Sequence, residues 1–149
     1  MRIVVQRADL AAVHVEDKEV SRIGKGLFIL LGVGKGDDER DVDYLASKIP
    51  NIRIFEDCDG KMNLSLKDIE GEMLVVSQFT LFGDARKGRR PSFTEAADPD
   101  MAKSLYEYFI TKIKEQGILA KKGEFQGKMR IELINNGPVT ILMDSKKLF

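Results

Sequence analysis

The chain has 149 residues, the size of one domain able to bury about two-thirds of its unfolded surface around a single core. Hydrophobic residues make up 43% and charged residues 32%, and no apolar run approaches the roughly 20 residues that a membrane helix needs. With 24 basic and 24 acidic side chains the formal net charge is zero, which excludes a global field for holding a long polyanion, so any nucleic-acid contact must be local.

The chain opens directly on strand-like Arg2-Ile3-Val4-Val5, with neither a secretory core nor a transit peptide, and a cytoplasmic protein is expected. Residues 2–7 and 11–15 alternate loosely and predict one long or bulged strand, followed by a hairpin around Asp17-Lys18. His14 lies between Val13 and Val15 and so points to the opposite face, as a solvent-facing strand residue would. It is the only imidazole, so a Ser-His-Asp or Cys-His mechanism would have to use it. Residues 26–33 are apolar almost throughout and predict a central strand covered on both faces. The glycines at 32, 34 and 36 invite a phosphate-loop reading that fails: Gly36 stands where Walker A needs Ser or Thr, and Asp37 where G-x-G-x-x-G needs glycine. A turn into the next helix is the better account.

That helix is predicted from an Asp37 or Asp38 cap to Ile49, with Val42, Leu45 and Ile49 on one face and Pro50 ending it. A short strand at 52–55 follows, then a turn at 57–60, a further short strand at 61–64 and a connecting turn at 66–71. The 57–60 turn holds Cys58, the single cysteine; no internal disulfide is possible and its acidic neighbours disfavour a thiolate. One cysteine and one histidine supply no zinc cluster, no calcium-loop motif appears, and neither metal nor cofactor is expected.

Residues 73–76 form a buried apolar strand that ends in Ser77-Gln78-Phe79-Thr80-Leu81. Two hydroxyls and an amide in a row make either an ordinary strand end or a hydrogen-bonding ledge whose N–H groups could meet a developing oxyanion. A long irregular stretch then runs to Ala97 and contains Arg86-Lys87-Gly88-Arg89-Arg90, which reads as a solvated loop or as a phosphate contact, with Lys121, Lys122 and Lys128 as extensions. Asp98-Pro99 caps a second helix whose inward stripe is Met101, Leu105, Tyr108, Phe109 and Ile113, with Gly117 as the stop. Two further strands, 129–134 and 139–143, flank Asn135-Asn136-Gly137-Pro138. Proline in a sheet needs an edge, a bulge or a tight turn, and a rigid turn is expected here, as an Asn-Gly hairpin or with a cis X-Pro bond. Seven or eight strands and two main helices make one α/β (α+β) domain, 1–149, around a curved, mixed sheet. An enzyme without a histidine base, metal cluster, cysteine nucleophile or phosphate loop must work through hydroxyls, backbone N–H groups and its own substrate, which suits hydrolysis of an activated ester.

SQFTL at 77–81 and NxGPVT at 135–140 occur with MRIVVQR at the start, IGKGL at 23–27, RIFED at 53–57, KMNLS at 61–65 and RKGRRPSF at 86–93. In this order, from Met1 to about Ser145, they resemble the D-aminoacyl-tRNA deacylase family. The resemblance implies a deacylase-type, barrel-like fold and a homodimer acting on the acceptor end of D-aminoacyl-tRNA, without DNA or membrane. It implies an active site at the interface, where Ser77, Gln78, Phe79 and Thr80 of one chain hold the terminal adenosine and ester. The other chain's Gly137-Pro138, in cis, would present main-chain carbonyls that exclude L side chains; glycine would also slip through. Arg7 would brace that turn, Asn136 would join Gly137 and Pro138 in binding substrate, Phe125 and Met129 would line the pocket, and Arg86, Lys87, Arg89 and Arg90 would meet tRNA. Thr80 has no partner to take its proton, so the tRNA's own 2′-hydroxyl is expected to assist. The chain departs from the family at Asn136, often Asp; at Gln126-Gly127, often Gly-Ala; at Phe82-Gly83, commonly Tyr-Ala; and at His14, usually a small hydroxyl residue. The rival readings are a non-catalytic module for the tRNA acceptor end and a nucleotide binder built on Gly32 to Gly36.

Overall fold

The computed structural model describes residues 1–149. Its first strand, β1 (Arg2–Val15), organises the sheet. One edge of β1 pairs antiparallel with β3 (Gly26–Gly32) over its first half and with β2 (Lys18–Ile23) over its second; the other edge pairs with β8 (Met129–Asp144) along its whole length. Parallel pairs then carry the sheet from β3 to β6 (Glu72–Ser77) and on to β7 (Ala120–Lys122). Lys121 Nζ on β7 reaches back to the Arg22 carbonyl on β2 at 2.6 Å, and Ser21 Oγ on β2 donates to the Lys122 carbonyl at 2.8 Å. The mixed sheet therefore curls almost into a barrel. A separate two-stranded ribbon, β4 (Phe55–Glu56) and β5 (Met62–Leu64), lies outside it.

The helices are α1 (Glu39–Lys48) and α2 (Pro99–Lys114). Asp38 caps α1 by accepting from the Arg40 N–H, while Asp41 Oδ2 accepts from the Asp38 N–H, the reciprocal arrangement of a capping box. Asp98 accepts from the Met101 N–H ahead of α2, whose first residue is proline. Both helices cover one face of the sheet. Ile3, Val5, Leu27, Ile29, Met73 and Val75 pack there against Val42, Leu45, Phe109 and Ile113. The alternate residues Phe28, Leu74 and Val76 face a smaller cluster inside the curl, so β3 is covered on both sides. The glycine-rich loop after β3 satisfies its own N–H groups: Gly34 donates to Asp37 Oδ2 and Lys35 to the Glu95 carbonyl.

Four details differ from expectation. The tyrosine of α2 that joins Phe109 in the core is Tyr106, 1% exposed, whereas Tyr108 is half-buried with its hydroxyl on Asp43. The strand expected at 52–55 shrinks to Phe55–Glu56 because 49–51 continues α1 as a 3-10 turn. After Ser77 the chain does not extend but turns through a 3-10 segment, Phe79–Phe82. Finally, Gly137-Pro138 is not a turn between two strands. It is a bulge within the single strand β8: Gln6 pairs with Thr140 and Ala8 with Asn135, so residues 136–139 stand opposite Arg7 alone. The Gly137–Pro138 peptide is cis. No helix is long and apolar enough to cross a membrane.

Candidate active site

Ser77 is the last ladder residue of β6, opposite Leu31, and the Gln78 N–H still donates to the Leu31 carbonyl at 2.7 Å. At Gln78 (φ −145°, ψ 82°) the backbone leaves the sheet and enters the 3-10 turn. The first N–H groups of such a turn, here those of Phe79 and Thr80, have no partner within it, which leaves two adjacent donors available. The Gln78 side-chain amide donates to the Thr80 hydroxyl and holds it beside them.

A mostly apolar cleft of about 710 Å³ opens at this turn. It brings together Ser77, Gln78 and Phe79 with Phe125 and Met129, five of the residues that the sequence singles out. Thr80 does not line it. Phe93 and Tyr106 do, and sequence reasoning missed both. Tyr106 packs on Phe125 with ring centroids 5.9 Å apart and donates its hydroxyl to the Val75 carbonyl at 2.8 Å. Burial pushes its phenol well above the usual range, so it serves as a neutral donor that ties the cleft to β6. Its signal was present in the sequence: 102, 106, 109, 110 and 113 follow the helical period better than a stripe through 108.

The bulge forms a second, separate feature. Arg7, 6% exposed, donates Nε to the Asn136 carbonyl at 3.2 Å and Nη1 to the Ile54 carbonyl at 2.8 Å, with Nη2 3.5 Å from Glu56 Oε1. Asn136 donates its side-chain amide to both oxygens of Asp9 at 2.9 Å. Arg7 and Asn136 line a small polar pocket of about 80 Å³, and Gly137 and Pro138 are exposed on the edge strand. In register, the bulge faces Arg7, Arg7 pairs with Leu27, and Ser77 pairs with Leu31. Three strand spacings across and four residues along put Gly137-Pro138 roughly 20 Å from Ser77 within one chain. A single copy therefore does not bring the two halves of the predicted site together.

The basic run lies on an arm closed by Asp84 and Ser92, whose backbones exchange hydrogen bonds of 2.7 and 2.9 Å. Asp84 grips Arg86 through both carboxylate oxygens, and that contact holds its carboxyl well below the usual carboxylate range. Arg86 is thus spoken for, while Lys87, Arg89 and Arg90 have no hydrogen bond or ion pair. His14 sits 3.5 Å from Glu132 across the β1–β8 pair and does not line the cleft.

A family model described as D-Tyr-tRNA(Tyr) deacylase matches residues 4–144. The chain belongs to this family of hydrolases. D-aminoacyl-tRNA deacylases of Thermotoga petrophila and Clostridioides difficile are 58% and 56% identical to it over 149 residues, covering all of both chains. The solved structure of a c-Myc DNA unwinding element binding protein superimposes with a TM-score of 0.91 at 37% identity, over 97% of this chain and 98% of that one. A probable eukaryotic D-amino acid tRNA deacylase shares the fold, with a TM-score of 0.81 at 19% identity, over 95% of this chain and 97% of that one.

The Arg7 brace is open to a direct test. Lysine carries the charge but lacks the planar fork that reaches two carbonyls on different segments. Arg7→Lys is expected to cost about 2 kcal/mol, read as a lower urea midpoint with an unchanged slope.

Proposed function

We propose that the chain hydrolyses the ester of D-aminoacyl-tRNA, releasing D-amino acid and tRNA, as a homodimer whose two active sites lie at the interface. The observation that carries this reading is the separation of the cleft from the exposed Gly137-Pro138 bulge in one chain, since the second copy can supply what the first cannot bring together. An apolar stripe suits such pairing: half-buried Val4 and Leu30 stand beside exposed Leu142 on β1, β3 and β8, and half-buried Leu10 faces exposed Ile134. Ile134 and Leu142 are 54% and 60% exposed on an edge strand, an arrangement that favours association.

In this reading Ser77, Gln78, Phe79 and Thr80 hold the terminal adenosine and ester, with Phe125 and Met129 as pocket wall. Gly137 and Pro138 of the second copy face the α-carbon with main-chain carbonyls. Arg7 and Asn136 fix the bulge. An L side chain would collide with it, a D side chain points away, and glycine passes, so glycyl-tRNA(Ala) is a further substrate. Discrimination comes from excluding the wrong hand rather than from gripping the right one. The N–H groups of Phe79 and Thr80 stabilise the oxyanion, and the tRNA's terminal 2′-hydroxyl assists attack. Lys87, Arg89 and Arg90, with Arg86 as their brace, meet the tRNA backbone. The reaction takes place in the cytoplasm, where charged tRNA is used, and calls on no cofactor.

Complementation tests the two-chain site. Gln78→Ala impairs the ledge and Gly137→Ala the bulge, and each homodimer is expected to be nearly inactive. In a two-fold heterodimer one site combines both lesions and the other is intact, so random mixing should restore about a quarter of wild-type activity. A mixture as inactive as its parents, with heterodimers confirmed by mass, would overturn the shared site.

A further inference from the structure

At the mouth of the cleft that both of them line, Phe79 and Phe93 form an aromatic pair; one side of Phe79 serves the terminal adenosine in the reading above, which leaves the rest of the pair, and Phe93 entirely, without a role. Their ring centroids are 5.1 Å apart and their planes 71° apart, so one ring meets the other edge-on. Phe79 is 58% exposed and Phe93 38%, unusual for two large apolar side chains already in contact. The pair is built, not incidental. Phe79 is fixed by the turn that ends β6, and Phe93 follows directly on the Asp84–Ser92 closure of the arm. Gly83 permits the approach: a Cβ there would lie 3.0 Å from the Phe93 ring and 3.0 Å from the Thr80 carbonyl oxygen. The arm that positions Phe93 also carries Lys87, Arg89 and Arg90, all exposed and unpaired, whereas Arg86 is consumed by Asp84. Arg90 lies three residues before Phe93, so the two are at most about 11 Å apart.

Exposed rings beside unpaired cations form the combination that holds single-stranded nucleic acid: bases stack on the rings and phosphates meet the charges. A membrane or an acidic peptide would use the cations but leave the ring faces without a planar partner. We infer that Phe79 and Phe93 form a stacking platform for the unpaired RNA nucleotide preceding the terminal adenosine, with Lys87, Arg89 and Arg90 on its flanking phosphates. This rests on the proposed reading in placing the terminal adenosine in the cleft, because a strand leaving the cleft must then cross its rim, where Phe79 and Phe93 stand. The platform would make the unpaired 3′ end, rather than the ester alone, the recognised feature.

The test uses uncharged RNA, so it can fail while deacylation stands. A 5′-labelled RNA hexamer ending in CCA is titrated with full-length protein by fluorescence anisotropy, beside the same RNA made abasic at the penultimate nucleotide. The wild type should bind the abasic RNA about tenfold more weakly, and Phe93→Leu should show a similar loss on intact RNA and no further loss on the abasic one. Replacing Lys87, Arg89 and Arg90 together by Gln should lower the slope of log K against log salt by about 2. Equal binding of intact and abasic RNA by the wild type overturns the platform without any appeal to a variant. Unchanged binding by Phe93→Leu, with its fold verified by circular dichroism, overturns it as well. Failure of the wild type to hydrolyse D-tyrosyl-tRNA would instead count against the deacylase reading and leave the RNA titration to be judged on its own.

Discussion

Gly137→Ala should lower D-aminoacyl-tRNA hydrolysis by about 100-fold, the scale on which a displacement of an ångström at a reacting centre is felt. Gly137 has φ +115°, a region closed to L side chains. Space forbids the change independently: a Cβ would lie 2.8 Å from Arg7 Nη2, 2.8 Å from Val139 Cγ2 and 3.0 Å from the Val139 nitrogen. Arg7 cannot simply withdraw, because it is buried and bound to the Ile54 and Asn136 carbonyls. The bulge must therefore move, carrying with it the carbonyls proposed to meet the substrate. A stability loss of about 1–3 kcal/mol should accompany it. Gly117→Ala separates strain from function: Gly117 has φ +78° but nothing within 4 Å of a new Cβ, far from either half of the site in sequence. It should cost about 1 kcal/mol of stability with hydrolysis unchanged.

The second large effect lies in the substrate. Replacing the terminal 2′-hydroxyl by hydrogen should slow release by about 10²- to 10⁴-fold, the usual worth of a positioned proton-transfer group. Thr80→Ala should leave most of the activity. Thr80 Oγ1 has one side-chain partner, the Gln78 amide, which donates to it and cannot take its proton. An activated hydroxyl needs a neighbouring base. Among histidine, lysine and carboxylate side chains none lines the cleft. Loss of several orders of magnitude in Thr80→Ala, with the 2′-deoxy substrate still turned over, would assign the chemistry to a covalent threonine mechanism.

Much of the scaffold was legible because its signals are local. The aspartates at 37 and 38 and Asp98 ahead of Pro99 mark the helix starts through bonds made within one turn, which fall to Asp38 and to Asp98, and the unbroken apolar run at 26–33 announces a strand covered on both faces. The bulge was legible as a rigid, proline-bearing interruption in a sheet, but not as part of a single strand. That outcome depends on Arg7, 130 positions earlier, whose guanidinium fills the space opposite residues 136–139 and satisfies the Asn136 carbonyl. Tyr106 was missed for a different reason: the helical period through 102, 106, 109 and 113 was there to be read, but the equally aromatic Tyr108 drew the stripe to itself, and the packing against Phe125 and the bond to the Val75 carbonyl show that Tyr106 turns inward. Phe93 was quoted within a motif but given no role, since its contact with Phe79 exists only once the arm closes between Asp84 and Ser92. The pairing of Arg86 with Asp84 likewise divides a run that looks uniform in sequence. The ledge and the bulge were each recognisable, and the family resemblance already assigned them to different chains; what the sheet register adds is the distance between them within one chain.

The most direct test of the account is the release of tyrosine from D-tyrosyl-tRNA and L-tyrosyl-tRNA, followed side by side with the purified wild-type protein. Rapid loss of the D ester, with the L ester decaying no faster than in buffer, is the expected result. Hydrolysis of both esters at similar rates would contradict exclusion by the bulge, and hydrolysis of neither would leave a protein that binds the acceptor end without turning it over.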